Sequence, residues 1–207
     1  MIDRKTTFLK DGFTLVEVII LFVIFLTVTI LVVPLTVEDA IISKNIAKWK
    51  HVQSGFSSIP ISMMNNQNYR DNGVVSLEHF INALIKVHPL KNPVSYKIKY
   101  MNGDTPDEKY VFKEIYNTDN GASVAFKWFD DEKIKGEDKI EGMLMYDVNG
   151  RRGPNVWGKD IFGMNVYANK IEPFGKNEDP ITVESDCSKQ GTGVYCSFMM
   201  LQDIQEP

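Results

Sequence analysis

Three oxygen-bearing side chains in one glycine-rich stretch are of the types that bind calcium. Asp147, Asn149 and Asp160 carry hard oxygen ligands within a segment that reads as a loop, and calcium prefers such ligands. The pattern of a complete calcium loop is missing, because two arginines follow where further acids would stand and no glutamate closes the segment. A calcium site at these three residues is therefore one of two interpretations, and no other cofactor is expected.

The second interpretation is a tight turn without a metal ion. Aspartate and asparagine side chains bond to nearby backbone groups in turns, and glycines supply backbone conformations with positive φ. Trp157 and Phe162 would then anchor the stretch in the core. The sequence favours this turn over the calcium site because the loop pattern is incomplete.

No residue pattern in the sequence points to catalysis. His51, His79 and His88 fall in predicted helices or at a helix end, where a surface or packed position explains them better than a role as a base. The sequence has no nucleophile elbow, no P-loop and no HExxH motif. We therefore expect a protein without enzymatic activity. The net charge of −4 argues against nucleic acid as a partner, because phosphate binding needs a basic surface.

A single acid, Glu17, lies within an apolar run that covers residues 13–33. As a helix this run would be about 31 Å long, which matches the hydrocarbon thickness of a bilayer. It has no polar face, unlike the core helix of a soluble protein. A carboxylate in this setting is costly unless it is paired. Glu17 is therefore either a functional residue or a side chain that reaches up to the lipid headgroups.

The flanks of the apolar run predict its topology. A cleaved secretory signal would have a shorter apolar stretch and a small-x-small cleavage site, and neither is present. Arg4, Lys5 and Lys10 precede the run, and a basic flank tends to stay in the cytoplasm. We expect a retained membrane span whose N-terminus is cytoplasmic and whose C-terminal part lies outside the cytoplasm.

The helix is expected to continue beyond the membrane. Apolar side chains recur at helical spacing after Pro34 and would pack against a domain. Pro34 should bend the rod, and the helix should end near Ser58, before Pro60. Residues 59–72 read as a loop, and a short helix capped by Ser76 should follow.

Further along the chain the apolar period changes from helical to two. Strands are predicted at residues 94–100, 110–116, 123–129, 142–148 and 164–168, with turns at Asn102-Gly103 and Asn120-Gly121. The predicted fold class is α+β, in which a long N-terminal helix packs on an antiparallel sheet of four or five strands.

The start of the apolar run resembles the N-terminal signal of a known family. Residues Gly12-Phe13-Thr14-Leu15-Val16-Glu17 follow the pattern G-F-T-L-x-E of type IV pilins and type II secretion pseudopilins. The resemblance is confined to this motif and the span after it. One departure is Asp11, because the family more often has a basic or neutral residue before the glycine.

The resemblance implies a processing reaction and an assembly role. A prepilin peptidase would cut between Gly12 and Phe13 and methylate the new amino group on Phe13. Glu17 would neutralise the N-terminal ammonium of a neighbouring subunit, or that of its own chain one helical turn away. Pro34 would stand where many pilins have a proline.

The resemblance also implies an organisation and a set of partners. The parts would be a leader (1–12), a transmembrane assembly helix (13–33), its amphipathic continuation (34–58) and a pilin-like globular head (59–207). The chain would be a major or minor structural subunit of a type IV pilus or a type II secretion filament. Its partners would be prepilin peptidase, other subunits in a helical filament, the inner-membrane assembly platform and, before assembly, the lipid bilayer.

The resemblance places the subunit first in the bacterial inner membrane and then in a cell-surface or periplasmic filament. The sequence leaves open whether the filament serves a pilus, secretion or DNA uptake. It also leaves open an alternative of a different class. In this alternative a single span anchors an extracytoplasmic domain that binds a ligand or acts as an enzyme.

The two cysteines, Cys187 and Cys196, lie in the part of the chain that should face outside. That compartment is oxidising in many bacteria, so a disulfide between them is expected. The resemblance implies the same, because many type IV pilins close a C-terminal loop in this way. Such a bond would stabilise the fold by about 2–3 kcal/mol, either as a staple for the chain end or as the frame of a contact loop.

Overall fold

The computed structural model describes residues 14–65, 76–129 and 139–202, and of residues 33–36 the backbone alone. The helices are α1 (Leu15–Phe56), α2 (Ser58–Met64), α3 (Leu77–Val87), α4 (Pro180–Asp186) and α5 (Cys196–Met199), with 3₁₀ turns at Glu108–Tyr110 and Gly150–Arg152. The strands are β1 (Leu90–Val94), β2 (Ile115–Thr118), β3 (Ser123–Trp128), β4 (Ile140–Asp147), β5 (Ile161–Tyr167) and β6 (Ile171–Pro173). The predicted α+β class is confirmed, since a long apolar helix precedes an antiparallel sheet.

The chain divides into two compact units within α1, one extending to Ile41 and the other beginning at Ile42. In the first unit, the large apolar side chains of α1 from Leu15 to Val32 are exposed. The most apolar part of the helix has a mean hydropathy of 3.2 and no buried residue. By length and composition this helix is able to cross a membrane.

The threonines in the apolar part of α1 satisfy their hydroxyl groups within the helix. The Thr27 Oγ1 donates to the carbonyl oxygens of Val23 and Ile24 at 3.0 and 2.8 Å, and the Thr29 Oγ1 donates to Phe25 O at 2.7 Å. Back-bonding of this kind removes the cost of placing a hydroxyl group in an apolar environment. The exposed surface of this helix is therefore compatible with lipid.

The predicted loop at 59–72 is wrong at its start, because Ser58–Met64 forms helix α2. Pro60 had been expected to follow the helical rod, yet it lies in the first turn of α2, where the missing backbone N–H has no intrahelical partner to lose. Ile59, Pro60 and Met63 are buried, so apolar packing stabilises this short helix. The predicted cap of the next helix is confirmed, since Ser76 Oγ accepts from His79 N at the start of α3.

The sheet has six strands in the order β1-β2-β3-β4-β5-β6, and all neighbours are antiparallel. It exceeds the predicted four or five strands because the short β6 was missed. The strands expected at 123–129, 142–148 and 164–168 are observed as β3, β4 and β5, and the Asn120-Gly121 turn joins β2 to β3.

Two strand predictions are misplaced. The strand expected at 94–100 is present only as β1, which ends at Val94, and the strand expected at 110–116 begins only at Ile115. The alternating burial does persist from 94 to 100. This part of the chain lies over one face of the sheet. Its apolar side chains pack against that face, but its backbone does not form a strand.

Both faces of the sheet are buried. On one face, the distal part of α1 (residues 42–56) and α3 cover a core that contains Trp49, Phe56, Phe80 and Leu144. On the other face, the connection between β1 and β2 and the C-terminal segment cover a second core around Trp157. The loop between β4 and β5 contributes to both cores. Two of the predicted calcium ligands, Asn149 and Asp160, lie in this loop, and the third, Asp147, is the last residue of β4.

Candidate functional site

Glu17 lies in the first turn of α1 and forms a complete capping box with Thr14. The Glu17 Oε2 accepts from Thr14 N and from Thr14 Oγ1, both at 2.8 Å, and Glu17 N donates to Thr14 Oγ1 at 3.3 Å. This reciprocal pair satisfies two backbone donors at the helix start. The sequence signal T-x-x-E was present in the motif but was not used in the sequence analysis.

The other residues of the motif are covered unequally by the structure. Gly12 and Phe13, the predicted cleavage and methylation positions, lie outside the described residues. Pro34 lies within α1, whose backbone is helical through this position. The cleavage, the methylation and the bend at Pro34 therefore stay predictions.

The carboxylate of Asp147, at the end of β4, is fully buried and bonds to the loop that follows. Its Oδ1 accepts from Asn149 N at 3.1 Å and from Gly150 N at 2.8 Å, and its Oδ2 accepts from Tyr96 Oη at 2.7 Å. Gly150 has a φ of 62°, and an added Cβ would lie 2.8 Å from Gly121 O. Glycine is thus required at the point where the loop turns under the carboxylate.

Asp160, just before β5, closes the same loop from its other end. Its carboxylate is also fully buried and accepts from Asn155 N at 2.8 Å and Val156 N at 2.7 Å. Asn149 Nδ2 donates to Gly153 O at 2.8 Å. The loop is therefore closed by side-chain bonds to its own backbone, as expected for a tight turn.

The two buried carboxylates influence each other. Burial, together with the nearby charge of Asp160, raises the pKa of Asp147 to about 7, while the bonds from Tyr96 and the loop backbone act in the opposite direction. Burial also raises the pKa of Asp160, against the hydrogen bonds from Val156 and Asn155. The cost of burying these acids is offset mainly by neutral hydrogen-bond donors.

The structure thus brings the predicted calcium ligands, Asp147, Asn149 and Asp160, into one loop. Both carboxylates are already engaged with backbone N–H groups. Within the ranges that the structure describes, no group of three or more histidine, cysteine, aspartate or glutamate side chains is arranged to hold a metal ion. Calcium binding stays a prediction, and it would have to compete with these backbone bonds.

The distal part of α1 binds to this loop through polar contacts that the sequence analysis missed. Asn45 is buried, and its Nδ2 donates to Lys159 O at 3.3 Å. Lys48 Nζ donates to Val148 O at 3.1 Å. A polar residue on the buried face of a predicted helix, next to Trp49, was the available signal. These bonds fix the helix against both ends of the loop.

The predicted disulfide between Cys187 and Cys196 is present and joins α4 to α5. The neighbouring Asp186 organises the intervening loop, since its carboxylate accepts from Thr192 N at 3.1 Å and from Tyr195 N at 2.8 Å. This segment also borders an open groove of about 420 Å³, lined by Ile181, Thr182, Ser185, Asp186, Gln190, Gly191, Thr192 and Tyr195.

Two of the three histidines, His51 and His88, differ in their surroundings. His51 is exposed, whereas His88 is buried between Phe56 and Tyr146, with ring centroids 4.8 and 5.2 Å apart. Burial lowers the pKa of His88, so the neutral imidazole packs as an aromatic side chain.

The features with most potential for chemistry are therefore a capped apolar helix, a loop closed by two buried acids and a disulfide-bonded C-terminal segment. The first has a surface for lipid or for other helices, the second is bonded to Asn45 and Lys48 in the distal part of α1, and the third joins α4 to α5. In comparisons with known proteins, no family model, no curated protein and no solved structure matches this chain.

Proposed function

We propose that this chain is a pilin-like structural subunit. A prepilin peptidase removes the leader 1–12, Phe13 is methylated, and the subunit leaves the inner membrane to join a helical filament of a type IV pilus or type II secretion system. The work of the protein is assembly, and it needs no active site of its own. The proposal is supported by the GFTLVE motif and by the architecture of the helix that follows it.

The single observation that carries the proposal is the exposed apolar surface of α1. Its large side chains are exposed all around the helix, from Leu15, at 76% exposure, to Leu31, at 71%. A surface of this size must be covered by lipid or by other apolar helices. In a subunit that leaves the membrane, neighbouring copies of the same helix supply that cover.

Glu17 supplies a second contribution that would favour the filament over the single subunit in lipid. In a single subunit the capping box with Thr14 supplies hydrogen bonds to one carboxylate oxygen. These donors lessen the cost of an acid at the edge of the span, but they provide no positive charge. The ammonium of a neighbouring Phe13 would provide that charge, so transfer from lipid into a filament is favoured.

The antiparallel sheet and the C-terminal disulfide loop fit a head carried on the filament surface. The distal part of α1 is packed on the sheet through Trp49, Val52 and Phe56. This packing makes the distal part of α1 a part of the head. The extracytoplasmic position proposed for the head accords with its disulfide.

A second candidate function, a membrane-anchored domain that binds a ligand, is favoured by the groove beside Tyr195. Its volume falls in the range of small-molecule sites. The two functions differ in what they require of the N-terminus. An anchored binding domain keeps its leader, whereas a filament subunit loses it.

Coexpression with a prepilin peptidase tests the proposal. The wild-type chain should shorten by the leader 1–12, and Gly12→Val should block the cut because the residue before the cleaved bond must be small. Thr105→Val, at a distant exposed position outside any helix or strand, serves as the control and should be cut normally. Failure of the wild-type chain to be cut would support the anchored binding domain instead.

A further inference from the structure

The C-terminal disulfide lies one residue from the contact that fastens α1 to the sheet. Cys196 is fully buried and is followed by Ser197, which is also fully buried. The carbonyl oxygen of Ser197 accepts from Trp49 Nε1 at 2.9 Å. The Ser197 Oγ accepts from Gly163 N, in β5, at 2.8 Å. One residue thus joins the distal part of α1, the sheet and the disulfide-bonded segment.

Trp49 makes this junction important for helix docking. Its side chain is fully buried and stacks on Phe162, with ring centroids 5.0 Å apart and an interplanar angle of 12°. The indole N–H is the polar end of this anchor, and a buried donor that loses its acceptor is costly. The position of Ser197 O therefore affects how firmly residues 42–56 pack on the sheet.

The segment that presents Ser197 has little secondary structure to hold it. Helix α5 contains only four residues, Cys196–Met199, and a helix of this length is not stable by itself. Apart from the disulfide and the bonds from Trp49 and Gly163 to Ser197, it is held by single hydrogen bonds, among them Phe198 N to Phe174 O at 3.1 Å and Tyr195 N to the Asp186 carboxylate at 2.8 Å. The disulfide is the one covalent restraint on this segment.

We infer that the Cys187–Cys196 disulfide is a redox latch that makes packing of the distal part of α1 on the sheet depend on oxidation. In the oxidised chain the bond holds Ser197 in place to accept from Trp49 and Gly163. A dithiol reductant that cleaves the bond gives up two electrons and two protons and becomes a disulfide. The two cysteines take up these electrons and protons and become thiols. The segment is then free to move, and Trp49 loses its acceptor.

The reverse reaction determines when the distal part of α1 can dock on the sheet. The two cysteine thiols give up two electrons and two protons to an oxidant that carries a disulfide, and this oxidant is reduced to a dithiol. Cys196 is buried once the segment is folded, so this exchange has to precede the final docking of the segment. The latch is independent of the proposed filament role, because it lies entirely within the unit that begins at Ile42.

Hydrogen exchange on the full chain in detergent micelles tests the latch. Peptides that cover residues 42–56 and β4 are followed by mass spectrometry before and after treatment with dithiothreitol. Residues 42–56 should exchange about tenfold faster or more in the reduced chain, since closing a loop of this size is worth more than one order of magnitude. Strand β4, in the middle of the sheet, should change much less.

Two variants make the test specific. Cys187→Ser, at the partly exposed cysteine, should reproduce the reduced pattern without reductant, and Ser188→Ala, next to it, should behave as the oxidised wild type. In Trp49→Phe the effect of reduction on residues 42–56 should shrink, because the acceptor on Ser197 no longer has its donor.

The outcomes separate a latch from a simple staple. Faster exchange confined to residues 42–56 and the C-terminal segment supports the latch. Equal acceleration in β4 would overturn it, because the bond would then stabilise the whole unit. Unchanged exchange in residues 42–56 after complete reduction would overturn it as well.

Discussion

The capping box at the start of α1 gives Glu17 a structural role besides any role in assembly. The reciprocal bonds between Thr14 and Glu17 satisfy backbone N–H groups at the start of the helix, which have no preceding helical carbonyl oxygen to bond to. From the sequence, Glu17 is either a charge partner for another subunit or a side chain that reaches the headgroups. The capping box is a third use of the same carboxylate, and it is compatible with the first.

Substitutions at Glu17 separate the cap from the charge. Glu17→Gln keeps an oxygen that can accept from Thr14 N but carries no charge, whereas Glu17→Val loses both. If charge pairing drives assembly, both variants should be cleaved normally, but their amount in filaments should fall about tenfold or more. The reason is that leaving the ammonium of a neighbouring subunit unpaired costs more than about 1 kcal/mol. The measurement is the ratio of filament to membrane subunit by immunoblot. Normal assembly of Glu17→Gln would leave only the capping role.

The buried acid at the end of β4 predicts how stability depends on pH. The pKa of Asp147 is raised from 3.8 to about 7, so the folded chain binds this proton more tightly than the unfolded chain. Its contribution to stability is complete below 3.8 and is lost as the pH rises through 7. The melting temperature of wild type should therefore rise by several degrees between pH 8 and pH 5, relative to that of Asp147→Asn.

Comparison with the variant is needed because other groups titrate as well. Burial raises the pKa of Asp160, with the same sign of effect, whereas it lowers the pKa of His88, which removes stability on acidification. Asparagine at this position can still accept from Gly150 N through its Oδ1, and its Nδ2 can donate to Tyr96 Oη, which reverses the direction of that bond. Parallel curves for wild type and Asp147→Asn would mean that the three hydrogen bonds keep Asp147 ionised throughout.

Calcium provides a separate test of the same loop. The carboxylates of Asp147 and Asp160 are engaged with backbone donors, so adding calcium to the purified chain should leave its melting temperature unchanged. Magnesium at equal concentration controls for ionic strength. A rise of several degrees with calcium alone, abolished in Asp160→Asn, would restore the calcium interpretation of the sequence.

Helix α1 combines two kinds of surface in one element. The part up to Val32 is apolar and exposed, whereas residues 42–56 bury Trp49, Val52 and Phe56 against the sheet. The change from a uniform to a one-sided apolar pattern was visible in the sequence. The bonds from Asn45 and Lys48 to backbone carbonyl oxygens were not visible, because their acceptors lie 114 and 100 residues further along the chain.

The contribution of Trp49 to docking can be divided by two substitutions. Trp49→Phe should lower the free energy of unfolding by about 1 kcal/mol through loss of the bond to Ser197 O. Trp49→Ala also loses the stacking on Phe162 and should cost about 3–5 kcal/mol. Urea unfolding followed by circular dichroism measures both. Equal costs would contradict a separate role for the indole N–H.

Local patterns predicted helices α1 and α3 and the central strands, but not the short helices α2, α4 and α5. Tertiary contacts explain several of the errors. Strands β3, β4 and β5 have strong apolar runs and a clear turn before β3, so they were found. The alternation at 94–100 was real, but it reflects packing of a non-strand segment on the second core. Helix α2 was missed because burial of Ile59 and Met63 outweighs the weak local signal around Pro60.

The same distinction holds for the candidate sites. The cysteine pair was predicted and is bonded, and the three predicted calcium ligands do share one loop. Their hydrogen-bond partners depend on the exact path of the backbone between β4 and β5, which residue types alone do not specify. Ser197 carried no signal at all, since its importance comes from what surrounds it.

At the level of the whole molecule, the chain consists of an exposed apolar helix and a compact unit that begins within the same helix. An acid at the start of the helix, a motif before it that we predict to be cleaved and a disulfide near the C-terminal end of the chain would suit a subunit that is made in a membrane and used outside the cytoplasm. Assembly into a filament, the function we propose, would make use of all three.

The mass of the mature N-terminal peptide tests the proposed function most directly. The protein is purified from the membranes or filaments of its native host, and its N-terminal peptide is sequenced by mass spectrometry. We predict that the peptide begins at Phe13 and carries one additional methyl group on its amino nitrogen. A peptide that still begins at Met1 would contradict processing, and with it the proposal that this chain is a pilin-like subunit.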